Sequence, residues 1–213
     1  AKILEGVRGD EDVYRYLNKF NCSFVTTNYE KYLAPISRLK DPEDQWRFYK
    51  VDDLLGAHLD LNGTVVHLHG CVSDSDSMVI TTKEYLEHYS LAKVQTFLTY
   101  LFETKTILFL GYGLDEIEVL EYILRRGKAS SEIGKGRIRR YILEGFFDAE
   151  TGFHKLLSEY YLDLFAIQLL RFPRNIKNYE YQVDLLASWS TKLQFNAMAL
   201  SDQAAILLEE IGE

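Results

Sequence analysis

The sequence predicts an α/β fold: a three-layer, Rossmann-like, mainly parallel sheet with a C-terminal helical extension. Two observations predict it. Short apolar runs that read as strands alternate with longer runs of helical period, the pattern of βα units around a parallel sheet. Three of the apolar runs also stop in polar or Gly-rich residues: Phe24-Val25-Thr26-Thr27-Asn28-Tyr29-Glu30, Val66-His67-Leu68-His69-Gly70 and Ile107-Leu108-Phe109-Leu110-Gly111-Tyr112-Gly113-Leu114-Asp115. Strand ends that deliver an amide, an imidazole and a Gly-rich turn suit a ligand site at the carboxyl edge of such a sheet.

Taken in order, 10–20 reads as a helix, with Val13, Tyr14, Leu17 and Phe20 at helical spacing. Residues 22–26 read as a strand buried on both faces, because polar alternation is missing. A helix is expected over 29–39, ending before Pro42. Residues 41–62 read as irregular, with a turn at Asn62-Gly63, and 64–68 as the second strand. Met78-Val79-Ile80 is a candidate short strand. Thr81 with Glu84 forms a capping box for a helix that can reach Glu103, with a possible break near Ser90. Strand 106–110 precedes an amphipathic helix over 115–126, with Ile117, Leu120, Ile123 and Leu124 on one face. Residues 127–140 read as a polar loop carrying Lys128, Lys135, Arg137, Arg139 and Arg140. Strand 141–143, helix 149–161, strand 166–170 and helix 179–193 follow, and 197–211 reads as a last helix. Residues 1–195 are expected to form the main domain, and 196–213 a helix or a linker to a further domain.

The 213 residues, 47% of them hydrophobic and 14% aromatic, suffice for a core and exclude disorder. A formal net charge of −8 argues against broad electrostatic binding to nucleic acid or anionic membrane. Two cysteines, Cys22 and Cys71, form no Cys-x-x-Cys pair, so a thiolate zinc site is not expected. With no signal peptide and no membrane-length apolar run, the expected location is the cytoplasm.

The candidate residues each have a bland reading. Asn28 suits a helix cap or turn as well as a ligand contact. His67 and His69 share one strand face by period; His69, beside Gly70 at the strand end, is the better candidate for chemistry, and His67 the structural one. Gly111-Tyr112-Gly113 with Asp115 can be a tight turn and N-cap, or a surface for close approach of a ligand. Gly134-Lys135-Gly136 lacks P-loop spacing.

Together, Thr26-Thr27-Asn28-Tyr29-Glu30, His69-Gly70 and Gly111-Tyr112-Gly113-Leu114-Asp115 resemble the sirtuin-like NAD-consuming fold, most closely the bacterial branch that depletes NAD during anti-phage defence. Met78-Val79-Ile80-Thr81 with Glu84-Tyr85 resembles its connecting segment. The resemblance covers roughly residues 20–195. It implies NAD as substrate, no metal, and cleavage to nicotinamide and ADP-ribose. It casts Asn28 as holder of the nicotinamide-side ribose and the attacking water, and His69 as general base. It places Thr27, Glu30, Gly70, Gly111, Tyr112, Gly113 and Asp115 in the nucleotide-binding set, with Gly111, Tyr112 and Gly113 on the adenosine side. It also implies a homo-oligomer or a partner or sensor domain. Four departures stand out. The family's opening Gly-Ala-Gly-x-Ser has no match before Cys22, so a preceding segment is expected to carry it. Glu30 replaces an Asp, and Gly113 stands where Ser is common. The four-cysteine ribbon of deacetylating sirtuins is missing, which favours hydrolysis over deacylation. A non-catalytic nucleotide-sensing or assembly domain is the alternative in another class.

Overall fold

The computed structural model describes residues 11–36, 45–111, 140–175 and 177–192. The described residues group into two compact units. One is built on residues up to Leu101 with the segment from Leu186, the other on Phe102–Leu185.

The first unit opens with helix α1 (Glu11–Leu17) and holds strands β1 (Phe24–Thr26), β2 (Arg47–Phe48) and β3 (Val65–His67) in a parallel sheet of order β1-β3-β2. Register pairs Thr26 with His67 and Arg47 with Val65. Val65 and Val66 are fully buried and His67 is 1% exposed, which explains why this central strand shows no polar alternation. Gly63 turns the chain into β3 at φ +79°, as the Asn62-Gly63 pair predicts.

Helix α2 (Thr82–Ser90) starts at the predicted capping box. Thr81 Oγ1 accepts from the Glu84 amide at 3.2 Å, and the Glu84 carboxylate accepts from the Thr81 amide at 2.9 Å. The run to Glu103, left open by the sequence as broken or continuous, is broken: Leu91 is extended (φ −67°, ψ 130°), and helix α3 (Ala92–Thr104) begins immediately after it. Val94, Phe97 and Leu98 of α3 are buried.

The second unit holds β4 (Ile107–Leu110), β5 (Arg140–Phe146) and β6 (Ile167–Pro173), parallel in the order β4-β5-β6. Helix α4 (Thr151–Phe165) makes the β5-to-β6 crossover, and α5 (Glu180–Lys192) follows β6. Parallel sheets with flanking helices are the α/β class the sequence predicts, consistent with a three-layer arrangement. Arg140, grouped by sequence with a solvated basic loop, is partly buried. Its guanidinium donates to the Phe165 carbonyl at 2.8 Å and the Phe102 carbonyl at 3.1 Å, so it closes carbonyls near the ends of α4 and α3.

Three local expectations are corrected. The helix expected over 29–39 is absent from 29–36, and 37–39 lie outside the described residues. Pro35 removes an amide and disfavours helix at Ala34, while the Glu30 carboxylate and Asn18 side chain take the local amides instead. Met78-Val79-Ile80 forms no strand; the Val79 amide bonds the His69 carbonyl at 2.9 Å. Strand β2 is an addition within the supposedly irregular 41–62, which also contains 3-10 turns at Val51–Asp53 and Gly56–Asp60. The helices expected at 115–126 and 197–211 lie outside the described residues. No described helix is long and apolar enough to cross a membrane.

Candidate functional site

Strands β1 and β3 leave the first sheet side by side. Asn28 and His69 each stand two residues beyond the paired Thr26 and His67. The ladder extends past the strands, since the Leu68 amide donates to the Thr26 carbonyl at 2.8 Å. The same sheet edge therefore carries Thr27, Asn28, Glu30, His69 and Gly70.

Asn28 is exposed, and its side-chain amide makes no hydrogen bond to any described residue. Its backbone is fixed at both ends of the peptide unit. The Asn28 amide donates to Thr26 Oγ1 at 3.1 Å, and His67 Nδ1 bonds the Asn28 carbonyl at 3.2 Å. His67 is thus the structural histidine that sequence reading expected. Burial lowers its pKa, with Arg47 acting in the same direction and the Asn28 carbonyl against it.

The loop after Asn28 is held from several sides. Glu30 Oε2 accepts from the Leu33 amide at 3.1 Å and from the Tyr32 amide. Arg47 Nη2 donates to the Lys31 carbonyl at 3.0 Å and the Leu33 carbonyl at 2.6 Å. Glu30 serves here as a loop organiser, and burial raises its carboxyl pKa against the opposing pull of the Leu33 and Tyr32 amides and Arg47. Arg47 was not foreseen, because its role depends on the two-residue strand β2.

His69 is 5% exposed. Its Nε2 lies 2.7 Å from the Tyr89 hydroxyl, and its ring also bonds the Thr27 carbonyl. A carbonyl only accepts, so the nitrogen facing Thr27 carries the proton. Nε2 is then the acceptor of the Tyr89 O–H. Burial, with His88 adding to it, lowers the His69 pKa to about 4, so the ring is neutral at pH 7 and Nε2 keeps its lone pair. Tyr85, His88 and Tyr89 surround the ring edge-on, with centroids 4.7, 6.0 and 5.7 Å from that of His69. These α2 residues were missed as a group, although their i, i+3, i+4 spacing places them on one helix face.

Gly70 sits at φ +86°, and a Cβ there would lie 2.2 Å from the Ser77 carbonyl oxygen. Its glycine serves a close backbone approach by residues 77–78. Gly111, at the exit of β4 in the other unit, is exposed at φ +63°, and a Cβ there would meet nothing within 4 Å. Tyr112, Gly113 and Asp115 lie outside the described residues. Among the described residues no group of three or more His, Cys, Asp or Glu could hold a metal ion.

A family model of the SIR2-like domain matches residues 22–164, more than half of the chain, and spans Asn28, His69 and Gly111. The chain belongs to the SIR2-like domain family. Neither the curated proteins nor the solved structures gave a match. Membership suggests NAD-related binding by this SIR2-like domain.

Proposed function

We propose that this SIR2-like domain hydrolyses NAD to nicotinamide and ADP-ribose. The observation that carries this reading is the pairing of an exposed Asn28, whose side-chain amide bonds none of the described residues, with a neutral His69 on neighbouring strand exits. The chemistry needs little more. The nicotinamide ring is a cationic leaving group, so it departs with the bonding pair and needs no acid. The ribose carbon passes through an oxocarbenium-like state, as in glycoside hydrolysis. Asn28 would position the ribose and water, and His69 would take the water proton as the new C–O bond forms. Thr27 and Glu30, on the sheet edge that carries Asn28, belong to the nucleotide-binding set in this reading. The physiological role that fits is NAD depletion in anti-phage defence, controlled by self-assembly or by a partner or sensor domain; the likeness of residues 26–30 to the bacterial branch supports it.

The test is nicotinamide release from NAD by the purified chain. Asn28→Ala and His69→Ala are each expected to lower it about 100-fold or more while the fold persists. Full turnover in both variants would refute the assignment.

One observation favours a second reading, a nucleotide-sensing domain without turnover. Both His69 nitrogens are engaged and the ring is buried. NAD binding without nicotinamide release would select it. Protein deacylation is a weaker third, because two cysteines cannot build a four-cysteine ribbon.

A further inference from the structure

The His69 ring is closed off on the α2 side. A base must offer a free lone pair to the proton it takes, yet the Nε2 lone pair already receives the Tyr89 hydroxyl at 2.7 Å. The Tyr89 ring is 7% exposed and lies edge-on to both His69 and His88. The other His69 nitrogen faces the Thr27 carbonyl, on the strand exit that also carries Asn28, so that bond belongs to the fixed part of the site. The Tyr89 bond belongs to a separate element. Helix α2 is bounded by its own N-cap at Thr81 and by the extended Leu91, so it is a short element distinct from the strand exits that carry His69 and Asn28.

We propose that Tyr89 gates His69: the α2 hydroxyl occupies the Nε2 lone pair in the closed form, and His69 becomes available as a base only when α2 withdraws it. This rests on His69 being the base of the hydrolase reading, and it names how that site is held off. Once the Tyr89 O–H has turned away, the water O–H bond breaks as its proton passes to Nε2, the water oxygen bonds the ribose carbon, and the ribose–nicotinamide bond breaks with its electron pair leaving on nicotinamide.

The test uses diethyl pyrocarbonate, which acylates an available neutral imidazole nitrogen, with the modified histidines located by peptide mapping. Nicotinamide release from NAD is followed in parallel. Tyr89→Phe removes the hydroxyl and keeps the ring. It is expected to raise the His69 acylation rate about fivefold, the weight of one net hydrogen bond, and to raise nicotinamide release with it. His67, buried on β3, should be unchanged and reports that the fold is intact. An unchanged His69 rate overturns the gate. A faster rate with slower release also overturns it, making Tyr89 a positioning residue instead. A faster rate with no release from either protein supports the gate and refutes NAD hydrolysis by this chain alone. Thr81→Ala, which loosens α2 without touching the cluster, should raise the His69 rate too. It carries the test if the Phe variant does not fold, and an unchanged rate there overturns the proposal.

Discussion

Gly70 and Gly111 both adopt left-handed backbone, and the sequence read both as places for a ligand to approach. The structure separates them. At Gly70 a side chain would collide with the Ser77–Met78 backbone; at Gly111 it would meet open space. Gly70→Ala is therefore expected to cost more than about 2 kcal/mol, from strain and collision together. Gly111→Ala should cost about 1 kcal/mol, from the backbone alone. Urea denaturation of the two variants checks this, and equal losses would contradict the assignment of Gly70 to packing. The residue types at the site were legible, since Asn28 and His69 stand at strand ends in the sequence itself. Their engagement was not. Nothing in a linear pattern shows that the Glu30 carboxylate turns back onto the Tyr32 and Leu33 amides, or that a tyrosine twenty residues downstream fills a histidine lone pair.

Helix α2 shows what local chemistry can specify. Thr81 and Glu84 fix its start through two reciprocal bonds, and both partners are visible three residues apart in the chain. Thr81→Ala is expected to destabilise the protein by about 1 kcal/mol, read as a shift in the denaturation midpoint with an unchanged slope. Strand β2 is the opposite case. Two residues are too few for any period, and Arg47-Phe48 becomes a strand only because β3 offers a ladder beside it. The helix expected over 29–39 fails in its described part, 29–36, for a local cause that the chain does display: Pro35 stands inside the apolar pattern. Strands β5 and β6 each run three residues further than predicted, to Phe146 and Pro173, because tertiary pairing carries them past the end of their apolar runs. Pro173 can end β6 because, among the described strands, β6 has a neighbour on one side only, and the missing amide costs no bond to it.

Across the whole molecule, three buried histidines link stability to pH. His67, His69 and His88 all have pKa values lowered by burial. Below about pH 6.5 the unfolded chain binds protons that the folded chain refuses. Their stabilising effect is complete above that pH and is lost as pH falls toward the folded values, about 4 for His69. His69 alone should account for a loss on the order of 3 kcal/mol over that interval. Glu30 and Glu144, whose carboxyls burial raises, act in the opposite sense near the acid end. The comparison is therefore best made between pH 7.5 and about 5.5, where the melting temperature is expected to fall; a flat profile would contradict neutral burial of the three rings. The sheet order of the first unit has a different consequence, for the order in which the molecule opens. Strand β3 is bonded along both flanks and β1 along only one among the described strands. Each β3 amide bonds a single neighbour, yet it lies between two strands, so solvent reaches it from neither side while both ladders hold. Deuterium should therefore enter Phe24–Thr26 before Val65–His67, and Asn28 rides a yielding margin while His69 stays anchored to the strand that lets go last.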